Sequence, residues 1–186
     1  MDNDPAFVSG VVDAIRAADI ADRLVLISFN HDLLRQAKAL MPELRIGILT
    51  LGDLLSMMLP PPVLWKDLGL VNSMDEPLDE ENCPALKKQV GMVSSVISDK
   101  LTLIAALYPQ MSVRQILATL SAQADPAAYV RTLGFPVELV SCEYHTAFAN
   151  PEVVNQLHDA GCKAAFWTVN TEDVVRSLVP LGPDCF

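Results

Sequence analysis

A chain of 186 residues with a formal net charge of −10, and only 13 Lys and Arg scattered along it, has no basic face to neutralise a phosphate backbone, so nucleic acid is not an expected partner. Hydrophobic residues make up 51%, yet no uninterrupted apolar run reaches the ~18 to 20 residues that span a bilayer. The nearest case, Val90 to Leu107, carries Asp99 and Lys100 in its middle and reads as a buried helix.

The four cysteines, Cys83, Cys142, Cys162 and Cys185, stand far apart with no CxxC pair, which argues against zinc. Isolated cysteines among apolar residues are ordinarily buried thiols, and they point to a reducing, cytoplasmic compartment. Met1-Asp2-Asn3-Asp4 is acidic where a secretory signal would be basic.

Phe7, Val8, Val11, Val12, Ile15 and Ile20 recur near helical spacing behind Pro5, which suits a first turn, and they predict a helix. Leu24 to Phe29 is a near-continuous apolar run, the pattern of a parallel strand covered on both faces, and it ends in Ser28-Phe29-Asn30. A helix from His31 to Leu40 follows, with Leu33, Leu34, Ala37 and Leu40 inward and Met41-Pro42 as its stop. Leu44 to Leu51 is the next strand, closed by Gly52.

From Gly52 to about Ala122 the strand-helix rhythm is interrupted. Leu59-Pro60-Pro61-Pro62 breaks any helix, and Asn72 to Pro84 is an acidic loop with Asp75, Glu76, Asp79, Glu80 and Glu81. Those carboxylates read as a solvated charge run in preference to a calcium loop. Two helices are expected over about Pro84–Tyr108 and Val113–Ala122, parted by Pro109.

Asp125-Pro126 is an N-cap followed by proline at the first helical position, opening a helix through Leu133. Val137 to Ser141 is a strand that runs out at Cys142-Glu143-Tyr144-His145, and Asn150-Pro151-Glu152 caps a helix to Ala160, closed by Gly161. Phe166-Trp167-Thr168-Val169-Asn170 is an apolar run that stops at polar residues before a helix from about Thr171 to Leu178. Strands with the same punctuation imply repeated βα units of an α/β fold.

Ser28-Phe29-Asn30 followed by a helix and Pro42, and Trp167-Thr168-Val169-Asn170 followed by a helix and Leu181-Gly182-Pro183-Asp184, resemble the later strands of the glycerophosphodiester phosphodiesterases. The resemblance covers roughly residues 8–51 and 124–186, and the WTVN stretch is its more specific part. It implies a partial TIM-type (β/α)8 barrel, later strands only, with residues 1–186 as one domain carrying a helical insertion at about 52–122. A complete barrel takes about 250 residues. Inserted after a barrel strand, the segment would form a lid, a partner surface or a plain decoration. Asp184-Cys185-Phe186 would open the family's last strand.

The implied activity is hydrolysis of glycerophosphodiesters to glycerol 3-phosphate and an alcohol, in lipid metabolism, with magnesium or calcium as the divalent metal. The family's His-Arg-Gly strand, Glu-x-Asp pair and His-Asp loop precede its SFN strand, and residues 1–22 match none of them. The metal ligands and catalytic histidines are therefore expected outside this chain. It reads as a fragment, inactive alone, that a missing amino-terminal half or a homo-oligomer would complete. The alternative is a non-catalytic half-barrel for binding or oligomerisation.

By the same resemblance Phe29 and Trp167, at strand carboxyl ends, form an apolar wall for the small phosphodiester; otherwise they are core aromatics. Asn170 either binds substrate or caps the next helix, the commoner role, and Ser28 and Asn30 share that ambiguity. None has a base beside it, so no catalytic residue is assigned. Glu143 and His145 are the one acid and imidazole paired after a strand. If the strand extends that far, alternation sets them on one side, open to metal binding or proton transfer; otherwise they are a solvated loop. His31 and His158 lie in helical patterns without a partner at ligand spacing, which predicts surface or helix-end roles.

Overall fold

The structure is a computed structural model that describes residues 5–52, 59–84 and 95–186. In chain order the elements are α1 (Pro5–Ala18), β1 (Leu26–Ser28), α2 (His31–Leu40), β2 (Ile46–Thr50), α3 (Ser95–Leu107), α4 (Val113–Gln123), α5 (Pro126–Thr132), β3 (Leu139–Glu143), α6 (His145–Ala149), α7 (Val153–Asp159), β4 (Lys163–Trp167) and α8 (Glu172–Leu178), with short 3₁₀ turns at Ala21–Arg23, Pro62–Leu64 and Val179–Leu181. They fall into two compact units, Asp2–Gly52 with Gln123–Phe186, and Asp53–Ala122.

The first unit is a parallel sheet of order β1-β2-β3-β4. β1 and β2 are trimmed at both ends relative to the expected runs Leu24 to Phe29 and Leu44 to Leu51, whereas β3 starts two residues later than the expected Val137 and continues past Ser141 to Glu143. Ile46, Ile48, Val140, Cys142, Ala164 and Phe166 are buried in one core with Val8, Val12, Leu34, Val153, Val154, Leu157 and Leu178 of the helices. These are alternate positions on each strand, so the residues between them face the opposite side of the sheet.

On that second face the strands crowd together at Gly47, whose register partners are Ile27 and Leu139. A Cβ placed on Gly47 would lie 2.7 Å from Ile27 Cγ2 and 3.2 Å from Leu139 Cβ, so no other residue fits without moving its neighbours. The chain after α8 returns beside β4. Asp184 donates its N–H to the Ala164 carbonyl at 2.8 Å, and Ala165 and Cys185 form an isolated parallel bridge.

Local chemistry sets the helix starts. Asn30 Oδ1 accepts the Leu33 N–H at 3.2 Å and Asp125 Oδ1 accepts that of Ala128 at 2.9 Å, each satisfying an amide that has no carbonyl partner in the first turn. Glu152, at the cap of α7, makes no side-chain capping bond; Asn150 instead accepts the Glu152 N–H within the turn ahead of it.

In the second unit Trp65 is buried and donates its Nε1–H to the Pro60 carbonyl at 2.7 Å. The acidic loop is wrapped around buried Asn82, which accepts the Ser73 N–H and donates to the carbonyls of Ser73 and Pro77. Leu101 and Ile104 of α3 and Val113, Ile116 and Leu120 of α4 are buried. The opening of the helix expected from about Pro84 lies outside the described residues. Among the described residues no helix is long and apolar enough to cross a membrane.

Candidate active site

The carboxyl ends of β1, β3 and β4 bring together the aromatic and ionisable side chains singled out above. Phe29 follows β1 and Trp167 ends β4, at opposite edges of the four-stranded sheet. Three interstrand spacings in a flat sheet would separate them by about 14 Å. Their ring centroids are instead 5.1 Å apart, edge to face at 84°. The sheet is curled so that its second face is the concave one, and the two rings meet across the concavity. The Trp167 indole is oriented by donation of its Nε1–H to the Ser141 carbonyl at 3.0 Å.

Glu143 is the register neighbour of Trp167 at the end of β3 and is 1% exposed. Its carboxylate accepts from two donors of His145, the backbone N–H at 2.9 Å and Nδ1, which reaches the two oxygens at 2.9 and 3.1 Å. Alternation along a strand is not what pairs them, because β3 stops at Glu143 and His145 opens the short helix α6. The turn through Tyr144 folds the imidazole back over the carboxylate. Helix α6 was missed by the pattern reading; Asn150-Pro151 just after it was the available stop signal. Tyr144 stacks on the His145 ring at 4.1 Å, and Phe148 meets it edge-on. Burial, and then the charge of Glu143, hold the Tyr144 hydroxyl above its ordinary pKa.

Asn170 is exposed, and the N-cap position of α8 falls to Thr171, so the capping role expected of Asn170 does not hold. Ser28 and Asn30 build the turn into α2: Ser28 Oγ accepts the Asn30 N–H, and Asn30 caps the helix. His31 is a helix-end residue as expected, but its ring points inward. Its Nε2 donates to the Leu49 carbonyl at 3.0 Å and its Nδ1 accepts from the Tyr129 hydroxyl at 2.8 Å. Gln123 continues this chain, bonding Tyr129 and accepting the Leu51 N–H. His158 contacts Asp184 at 2.9 Å, away from the strand ends. The Cys142 thiol faces the helices, and burial pushes its pKa up to about 12, so it offers no nucleophile.

A hard divalent cation takes roughly six oxygen ligands. Among the described residues no group of three or more His, Cys, Asp and Glu side chains converges. Glu143 and His145 face each other and do not by themselves fit such a centre.

A model of the glycerophosphoryl diester phosphodiesterase family matches residues 78–186. Among solved structures the chain is similar to a Silicibacter pomeroyi DSS-3 protein named as a glycerophosphoryl diester phosphodiesterase, with a TM-score of 0.51 and 20% sequence identity over 98% of this chain. That likeness is one of fold, and it spans 39% of the other chain. No curated protein matches. The family's fold is a (β/α)8 barrel, of which the curled parallel sheet with its helices is a part. The family match takes in more than half of the 186 residues, and the chain belongs to the glycerophosphoryl diester phosphodiesterase family.

Proposed function

We propose that this chain supplies the substrate-binding wall of a metal-dependent phosphodiesterase that cleaves glycerophosphodiesters to glycerol 3-phosphate and an alcohol, in lipid metabolism. The observation that carries this is the Phe29–Trp167 contact across the concave strand ends. Barrel chemistry is built at that end, and two rings held edge to face offer an apolar surface of fixed shape to the carbon face of a glyceryl group. Exposed Asn170, three residues beyond Trp167, adds an amide that can hydrogen-bond a hydroxyl or a phosphoryl oxygen.

In this reading residues 1–186 are one barrel domain with residues 52–122 inserted after β2. The divalent cation, magnesium or calcium, and the acid and base in line with the broken bond come from groups outside this chain. The cation would neutralise charge on the phosphoryl oxygens. The residues described here bind and orient the small molecule. Four cysteines without a disulfide support a reducing, cytoplasmic setting.

The test is binding and turnover measured side by side. Glycerol 3-phosphate is expected to bind the purified chain and to lose about tenfold in affinity in Trp167→Ala. Glycerophosphocholine is expected to survive incubation with magnesium or calcium. Metal-dependent release of glycerol 3-phosphate by this chain alone would overturn the assignment of the catalytic groups to elsewhere.

A further inference from the structure

Among the described residues, Glu143 and His145 form an acid-imidazole pair on the concave side that the apolar wall does not need. Glu143 could serve only to cap α6, and for that its bond to the His145 N–H is sufficient. It also accepts from His145 Nδ1, through oxygens 2.9 and 3.1 Å away. A carboxylate only accepts, so the proton of the neutral ring sits on Nδ1 and the lone pair on Nε2. No described residue bonds Nε2, and the His145 side chain is 28% exposed. One face of the ring is covered by Tyr144 and its edge by Phe148, so its freedom to turn is small. An imidazole held in one orientation and one tautomer by a buried anion, with a free lone pair, is a hydroxyl acceptor.

Its location says which hydroxyl. The carboxylate that holds the ring belongs to the register neighbour of Trp167, and Tyr144 donates its N–H to the Trp167 carbonyl at 3.1 Å. The imidazole therefore stands at the same strand ends as the aromatic wall. We infer that His145 Nε2 accepts a hydrogen bond from a hydroxyl of the glyceryl group lying on Phe29 and Trp167. Glu143 is its positioning residue, and together they select polyol esters over alkyl esters. This rests on the wall reading and adds to it the source of hydroxyl specificity.

The experiment is a titration of the intact chain with sn-glycerol 3-phosphate and, separately, with n-propyl phosphate, which lacks the two hydroxyls. It follows the Trp167 indole N–H and the imidazole nitrogens of neutral His145 by ¹⁵N NMR. Glycerol 3-phosphate is expected to shift both Trp167 and Nε2, and propyl phosphate to shift Trp167 alone. His145→Ala should weaken glycerol 3-phosphate about tenfold, one hydrogen bond's worth, and leave propyl phosphate unchanged. His145→Gln, which keeps an acceptor, should recover part of the loss. Glu143→Gln, whose amide also donates, should free the tautomer and cost about threefold. Circular dichroism establishes that each variant is folded. A shift at Trp167 with none at Nε2 overturns the role of His145 and leaves the wall standing. No shift at either overturns both.

Discussion

Trp167 and Phe29 touch edge to face at 5.1 Å, although one ends the last strand of the sheet and the other follows the first. The contact records the curl of the sheet as directly as any dihedral angle, and it ties the putting together of the site to the folding of all four strands. Truncating either ring should therefore cost both binding and some stability. An edge-to-face pair contributes about 0.5–1.5 kcal/mol beyond its buried area. Phe29→Ala, Trp167→Ala and the double variant, melted in urea, should give a coupling energy in that range. Additive losses would mean that the rings do not support one another.

The inward-facing His31 predicts a pH dependence of stability. Burial holds its imidazole below the ordinary value, partly offset by its bond to the Leu49 carbonyl. The unfolded chain thus takes up a proton that the folded chain refuses. Stability is complete above the unfolded imidazole's value, near 6.5, and falls as pH drops through it toward the lower folded value. Urea melts between about pH 7.5 and 5 should show this slope, and His31→Gln should flatten it. Tyr129→Phe removes the donor to Nδ1 and should cost about 1 kcal/mol at neutral pH.

Asp184 predicts a second, more acidic window. The N–H of Ala164, and then His158, hold its carboxyl below the usual carboxylate range. Its contribution is present above the unfolded value of 3.8 and disappears as pH falls through the lower folded one. Asp184→Asn should be less stable than the parent at about pH 6, and the two should converge below about pH 3. Because the Asp184 oxygen that contacts His158 also accepts the Ala164 N–H, the amide exchange of Ala164 should quicken in the variant.

The thiols should divide sharply. Cys83, Cys142 and Cys162 are buried and Cys185 is exposed. A maleimide added to the native chain is expected to label Cys185 at once and the other three only in denaturant, as mass spectrometry would show. Prompt labelling of Cys142, whose thiol burial pushes up to about 12, would contradict its packing against the helices.

The order of strands and helices was legible in the chain because it depends on neighbours in sequence. The apolar run Leu24 to Phe29 does contain a strand, although it is not covered on both faces as expected, since Ile27 is 47% exposed, and Asp125-Pro126 and Asn30 satisfy amides within one turn. Phe29, Trp167 and Asn170 could be placed at strand ends for the same reason. Three things depended on distant contacts and were not legible. The expected Asn170 cap passed to Thr171, decided by how the backbone leaves β4. The inward turn of His31 required Tyr129, 98 residues away. The pairing of Glu143 with His145 came from a turn and a helix, where the sequence offered only a continued strand or a solvated loop. Local sequence determines which residues reach the end of a strand. Only the curl of the assembled sheet decides which of them meet, because that curl is set by the packing of every strand against its neighbours and the helices behind them.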